Sequence, residues 1–187
     1  MTIWYIARGA GLSALILLTV STCLGTVMAG RVSVRPDARF ITQYVHRFVA
    51  TLALLVLGVH ITAILADSYA HVGVIGALVP FSSEYRPLWV GLGSIAMYGV
   101  LVTAATGYLR RRLASSPRAA SWWRMLHGTA YAGWALAMLH GLRSGTDSGL
   151  GWVRWIYLLC LAAVLGCVTV RAVTAVPSAQ PRAAVTR

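Results

Sequence analysis

The sequence has no lysine, and only four acidic side chains face its 16 arginines. Charged residues make up 11% of the chain and hydrophobic residues 58%, with a mean hydropathy of +0.73. A soluble domain has about 25% charged and about 45–50% apolar residues. So little polar surface cannot coat a water-soluble globule, and the sequence therefore predicts an integral membrane protein.

Cysteine is scarce as well. Cys23, Cys160 and Cys167 form no CxxC pair, and all three lie in apolar runs. This placement predicts neither disulfides nor a thiolate metal site.

Five stretches are long and apolar enough to cross a bilayer, which takes about 20 predominantly apolar residues. They are Ile3–Ala29, Ile41–Ala66, Leu88–Leu109, Trp122–Leu142 and Trp152–Val173. The intervals between them are too short for a soluble catalytic domain. The sequence predicts an all-α membrane protein, a bundle of about five transmembrane helices over residues 1–175, with a disordered cytoplasmic tail at 176–187.

Three details of these segments carry expectations. Val27, Met28 and Ala29 resemble a signal-peptide cleavage site, but the basic cluster that follows favours a retained first span. His71–Val79 is too short to cross and is expected to fold back over the outer surface. The glycines of the third span predict close helix approach.

The arginines predict the orientation. Eleven lie in the first and third loops and the tail, with Arg47 just inside the second span, whereas four lie at the opposite ends: Arg8, Arg86, Arg143 and Arg154. The positive-inside rule then places the N-terminus outside and the C-terminus in the cytoplasm of a multi-pass plasma-membrane protein. Membrane topology accounts for the net charge of +12. Membrane lipid is therefore an expected partner, and nucleic acid is not.

Four of the five histidines lie within predicted spans, where ionisable groups are costly and indicate function. His46 and His127 lie near the predicted cytoplasmic end, and we call them the inner pair. His60 and His140, the outer pair, lie about 20 Å further along the second and fourth spans. On an ideal helix His46 and His60 share a face, whereas His127 and His140 differ by about 140°. The fourth span is therefore expected to be overwound or kinked, at Gly128 or Gly133, or its two histidines approach their ligands from different sides.

Two imidazoles at each of two depths restrict the possible ligand. A di-iron carboxylate site needs several glutamates, and a structural zinc needs four ligands at one point. Haem iron needs only two axial ligands, so two pairs predict two haems. The alternatives are hydrogen bonding between helices in a structural subunit of a membrane complex, or a proton or metal-ion transporter that uses intramembrane histidines.

Haem propionates need cationic partners. Arg8 and Arg47 lie inside apolar runs and are the candidate haem-binding arginines. Weaker candidates at the span ends are Arg39 and Arg124 for the inner haem and Arg86 and Arg143 for the outer one.

The histidine spacing, 14 residues in one span and 13 in the next but one, resembles the ferric reductase-like transmembrane domain superfamily. Its members include NADPH oxidases and the haem subunit of the periplasmic methionine sulfoxide reductase system. Tyr85-Arg86-Pro87 before the third span and Trp123-Arg124-Met125-Leu126-His127 in the fourth add to the likeness. The resemblance implies an inner haem b ligated by His46 and His127, an outer haem b ligated by His60 and His140, and transmembrane electron transfer to an outer acceptor.

Larger members of that superfamily continue into flavin and NAD(P)H domains, whereas fewer than twenty residues follow Val173 here. The resemblance therefore implies the haem-carrying membrane subunit of an oxidoreductase without catalytic residues of its own. Its electrons are expected from a separate flavoprotein or from quinol, and its acceptor is expected to be an extracytoplasmic redox partner.

Overall fold

The computed structural model describes residues 2–30, 36–67 and 71–175, and the predicted tail at 176–187 lies outside them. The described residues fold into helices without strands, as an all-α membrane bundle. The helices are α1 (Thr2–Ala29), α2 (Pro36–Ala66), α3 (Gly73–Leu78), α4 (Pro87–Tyr108), α5 (Arg110–Leu113), α6 (Pro117–His127), α7 (Thr129–Ser144) and α8 (Gly151–Ala175).

Four helices of the described chain, α1, α2, α4 and α8, are long and apolar enough to cross a membrane. They coincide with the first, second, third and fifth predicted spans. The fourth predicted span, Trp122–Leu142, is not one of these long helices, because this segment is divided between α6 and α7, and the count is four rather than about five. The 16 residues of α7 extend only about 24 Å, less than the hydrocarbon layer of about 30 Å.

The division falls at Gly128, one of the two predicted kink positions. The Thr129 hydroxyl donates to the carbonyl of Leu126 (2.7 Å), and the Tyr131 amide donates to the carbonyl of Gly128 (3.2 Å) in a tighter i→i−3 turn. Side-chain hydrogen bonds of this kind compete with the helical ladder. His127 and His140 thus belong to different helices, so the angle expected on one ideal helix does not apply to them.

Two groups of helices form most of the bundle. α1 packs along α2, and α4 packs along α7 and α6. Contacts between α1 and α7 join the two groups, and α8 packs against α1. A Cβ atom on Gly99 would lie 3.5 Å from the Cα atom of Gly133, which confirms the predicted close approach of α4. α2 has few buried side chains, since most of its length faces away from the other helices.

The segment after α2 folds back as predicted, because α3 has only six residues and lies against α4. The hydroxyl groups of Ser94 and Tyr98 on α4 donate to the carbonyls of Ala77 and Leu78, at 2.7 and 2.6 Å. These bonds satisfy carbonyls at the end of a short helix, which has no continuing ladder to accept them.

Trp134 on α7 lies in the main buried cluster, between α1 and α8. The cluster contains Leu15, Trp134, Met138, Val153, Tyr157, Cys160 and Val164. The indole Nε1–H donates to the Thr19 hydroxyl (2.8 Å), which in turn donates to the carbonyl of Leu15 (2.8 Å). One side chain thereby combines burial with a hydrogen bond that links α7 to α1.

Substituting Trp134→Phe should lower the free energy of unfolding by about 1–3 kcal/mol, because it removes buried ring volume and the hydrogen bond to Thr19. Thermal unfolding in detergent, followed by circular dichroism, measures the change. Trp155, which is 65% exposed, supplies the matched Trp155→Phe control with little expected effect. Equal midpoints for the two variants would contradict this assignment.

Candidate functional site: two histidine pairs

The fold brings the outer pair together across the middle of the bundle. His60 projects from α2 and His140 from α7, and their ring centroids lie 6.4 Å apart with an interplanar angle of 77°. His71, the fifth histidine, lies outside the helices and is exposed. The sequence-based distinction between His71 and the other four is therefore confirmed by its position.

Each outer histidine contacts a backbone carbonyl on a neighbouring helix. Nδ1 of His60 lies 2.6 Å from the carbonyl oxygen of Ala7 on α1, and Nδ1 of His140 lies 2.8 Å from that of Trp89 on α4. The hydroxyl of Ser144 approaches the same His140 nitrogen at 3.4 Å.

The inner pair repeats this arrangement, with its carbonyl acceptors on the same two helices, α1 and α4. Nδ1 of His46 lies 3.0 Å from the carbonyl oxygen of Ser21 on α1, and Nδ1 of His127 lies 3.1 Å from that of Thr103 on α4. The Ser21 and Thr106 hydroxyl groups also approach these nitrogens, at 3.3 and 3.1 Å. All four imidazoles therefore dock on helices that carry no histidine themselves.

These contacts determine which ring nitrogen carries the proton. A carbonyl oxygen only accepts hydrogen bonds, so each Nδ1 must be the donor. Each neutral ring then presents the lone pair of Nε2, and within the described residues no Nε2 makes a hydrogen bond. An imidazole that donates through one nitrogen and exposes the other lone pair is in the form that binds metals.

Neither pair can hold a metal ion unaided. No group of three or more His, Cys, Asp or Glu side chains within the described part of the chain could serve as a metal site. Each pair thus offers two nitrogen ligands, and no third His, Cys, Asp or Glu side chain of the described residues joins them.

A cavity of about 560 Å³ surrounds the outer pair. Apolar side chains of α1, α2, α4, α7 and α8 line most of it, and Arg8 and Asp147 are among its polar lining residues. Cofactor sites are apolar cavities of about 300–1,000 Å³ with a few placed polar groups. The size and lining of this cavity fall within that description.

Arg8, one of the two main arginine candidates, lines the cavity. Its guanidinium forms an ion pair with Asp147 in the α7–α8 loop and lies 3.9 Å from the centre of the Trp4 ring. The Arg8 side chain is 16% exposed and that of Asp147 is 39% exposed. This contact ties the start of α1 to the loop that closes the same end of the bundle.

Arg47 is exposed on α2, one position after His46, and the structure does not bring it into the cavity. Arg39 and Arg124 are exposed as well. At the end of the bundle near the outer pair, the guanidinium of Arg86 donates to the carbonyl of Arg143, whose own guanidinium lies 5.1 Å from the Trp89 ring centre.

Trp123 contacts His127 of the inner pair, and the sequence did not indicate this contact. Its ring stacks on that of His127, with centroids 5.1 Å apart and an interplanar angle of 16°. Its Nε1–H donates to the carbonyl of Thr106 (2.9 Å), and Arg110 lies 5.1 Å from its ring centre. The four-residue spacing of Trp123 and His127 on one helix was the available signal.

The carbonyl acceptors were missed for a different reason. A backbone oxygen has the same chemistry at every position, so nothing in the residue types of Ala7 or Trp89 marks them. The Asp147 partner of Arg8 was also missed, because 139 residues separate the two in sequence. Comparison of the chain with family models, curated proteins and solved structures gives no match.

Substituting Asp147→Asn should destabilise the protein by about 1 kcal/mol, since it leaves the partly buried Arg8 charge without its partner. The double variant with Arg8→Gln should be less destabilised than the two single changes together. Detergent unfolding midpoints measure this cycle, with the exposed Arg154→Gln as control. Strict additivity would show that the two side chains do not interact in the folded protein.

Proposed function

We propose that this chain carries two b-type haems, one at each histidine pair, and transfers electrons across the membrane. The proposal rests on one observation: four intramembrane imidazoles all donate through Nδ1 to a carbonyl and all present a free Nε2. Histidines that only link helices have no need for one common tautomer. Axial haem ligands require it.

The distance between the two outer histidines also fits the binding of one haem iron between them. A metal–nitrogen bond measures about 2 Å, and the ring centre lies roughly 1 Å beyond the nitrogen, so two imidazoles on opposite sides of one metal have centroids about 6 Å apart. The His60 and His140 centroids are 6.4 Å apart. The cavity between the helices is apolar, as a porphyrin face requires.

When bound, such haems supply one-electron redox chemistry at two depths of the bilayer. The protein residues hold and orient them. His46 and His127 are the proposed inner ligands, and His60 and His140 the proposed outer ligands. Because two histidines would hold each haem, we infer electron transfer rather than activation of a ligand at the iron.

Arginines are the proposed partners of the acidic haem substituents. Arg8 is placed best, because it lines the cavity of the outer pair and retains N–H donors beyond those that Asp147 can accept. Arg47 is the counterpart proposed for the inner pair. It is exposed on α2, so its side chain would approach the edge of the haem from the surface of that helix.

The direction of transfer follows from the proposed orientation. The distribution of arginines favours an orientation with the inner pair near the cytoplasm and the outer pair near the opposite face. We propose a separate flavoprotein or quinol as electron donor and an extracytoplasmic redox partner as acceptor. Membership of the ferric reductase-like superfamily is part of the same proposal and rests on the histidine spacing.

The purified chain should show a b-type absorption spectrum and about two haems per polypeptide. A reduced-minus-oxidised spectrum with haem quantification measures both. A colourless preparation from haem-replete cells would exclude the proposal, and ion flux through haem-free vesicles would favour a transporter instead.

Substituting His60→Ala or His140→Ala should remove the outer haem and reduce haem content by roughly half, since one axial ligand is then missing. Transfer to an external acceptor in vesicles should stop, while the inner haem still accepts electrons from a chemical reductant. His71→Ala is the matched control, because His71 is exposed and belongs to neither pair. Retention of both haems in His60→Ala would contradict the ligand assignment.

A further inference from the structure

Each histidine docks beside a glycine as well as on a carbonyl. A Cβ atom added to Gly11 would lie 2.9 Å from Nδ1 of His60, and one added to Gly93 would lie 2.6 Å from Nδ1 of His140. At the inner pair, a Cβ on Gly25 would lie 3.4 Å from Cε1 of His46, and one on Gly107 would lie 3.4 Å from Cε1 of His127. Four glycines on α1 and α4 thus face the four rings.

The glycines and the carbonyls follow one register. In every case the glycine comes four residues after the residue whose carbonyl accepts the hydrogen bond. The pairs are Ala7 with Gly11, Ser21 with Gly25, Trp89 with Gly93, and Thr103 with Gly107.

This register has a steric reason. In an α-helix the carbonyl of residue i points toward residue i+4, whose amide donates to it. The side chain of residue i+4 covers that carbonyl from the outside. Glycine at i+4 leaves the second lone pair of the oxygen open, so an imidazole from the neighbouring helix can reach it.

This unit, a carbonyl residue followed four residues later by a glycine, occurs twice in α1 and twice in α4. The two units of α1 are 14 residues apart, as are the two units of α4, and the α4 units follow those of α1 at an interval of 82 residues. The histidines that dock on them follow at nearly the same intervals, 81 residues from His46 to His127 and 80 from His60 to His140. The helix pair α4 with α6 and α7 thereby repeats the pair α1 with α2.

We propose that Gly11, Gly25, Gly93 and Gly107 are positioning residues, which set the tautomer and aim of the four histidines by exposing the carbonyl four residues earlier. At Gly11 and Gly93 this requires glycine, whereas at Gly25 and Gly107 it requires a residue no larger than alanine. α1 and α4 are then the equivalent holding helices of an internally repeated site. An effect of these glycines on haem binding rests on the proposed function, whereas their effect on the histidine tautomer does not.

The distance from each added Cβ to its histidine ring predicts how strongly each alanine variant should weaken haem binding. Gly93→Ala and Gly11→Ala place a Cβ inside the contact distance of an outer ring, so outer-haem retention should weaken at least about tenfold. Gly25→Ala and Gly107→Ala meet only ordinary contacts and should retain the inner haem, whereas Gly25→Leu and Gly107→Leu should lose it. Gly58→Ala on α2 and Gly166→Ala on α8 are matched controls, because no atom lies within 4 Å of either added Cβ.

Haem content and the low-spin iron spectrum of the full-length protein measure this ranking, with circular dichroism to verify folding. Gly11→Ala and Gly93→Ala disturb the same haem from different helices, so misfolding of one still leaves a test. Outer-haem retention in both variants equal to that of Gly58→Ala would overturn the proposal.

Nitrogen NMR of ¹⁵N-histidine in the haem-free chain separates this proposal from the proposed function. Four intramembrane histidines protonated at Nδ1, with Gly93→Ala shifting the His140 signals alone, are expected whether or not haem is bound. If the wild type purifies without haem from haem-replete cells and still gives these signals, the proposed function fails and the positioning role stands. Nε2-protonated rings in the wild type would overturn the positioning role.

Discussion

The rest of the site depends on one interaction, the docking of a histidine Nδ1–H on a backbone carbonyl of the neighbouring helix. It occurs at His46, His60, His127 and His140, with donor–acceptor distances from 2.6 to 3.1 Å. Inside a bilayer a polar group without a partner is costly, so an imidazole must find an acceptor within the bundle. A carbonyl already bonded within its own helix provides one without breaking that helix, and the ring's other nitrogen stays available.

This constraint explains the roles of helices that carry no histidine. α1 and α4 provide the acceptors, and α2, α6 and α7 provide the rings. α1 therefore contributes to both pairs as well as to the core around Trp134. The break at Gly128 belongs to the same arrangement, because it lets His127 and His140 reach α4 from two separate helices.

Much of the architecture follows from the sequence. Apolar length alone predicts α1, α2, α4 and α8, because a bilayer requires about 20 apolar residues wherever a helix crosses it. The histidine spacing predicts that the histidines lie at two levels of the bundle. It also indicates Gly128 and Gly133 as the positions for a kink in the fourth span. Length and hydropathy fail at Trp122–Leu142, because they cannot register a competing hydrogen bond such as that of Thr129 to Leu126.

The sequence by itself determines an all-α membrane protein and predicts four histidines at two levels within its apolar segments, since composition and spacing are local properties of the chain. The tertiary structure alone decides which carbonyl each histidine meets, that Arg8 pairs with Asp147 and that Trp123 covers His127. These contacts join residues distant in sequence or depend on side-chain orientation. The glycines lie between the two cases: their 14-residue interval is visible in the chain, but its meaning requires the rings that dock on them.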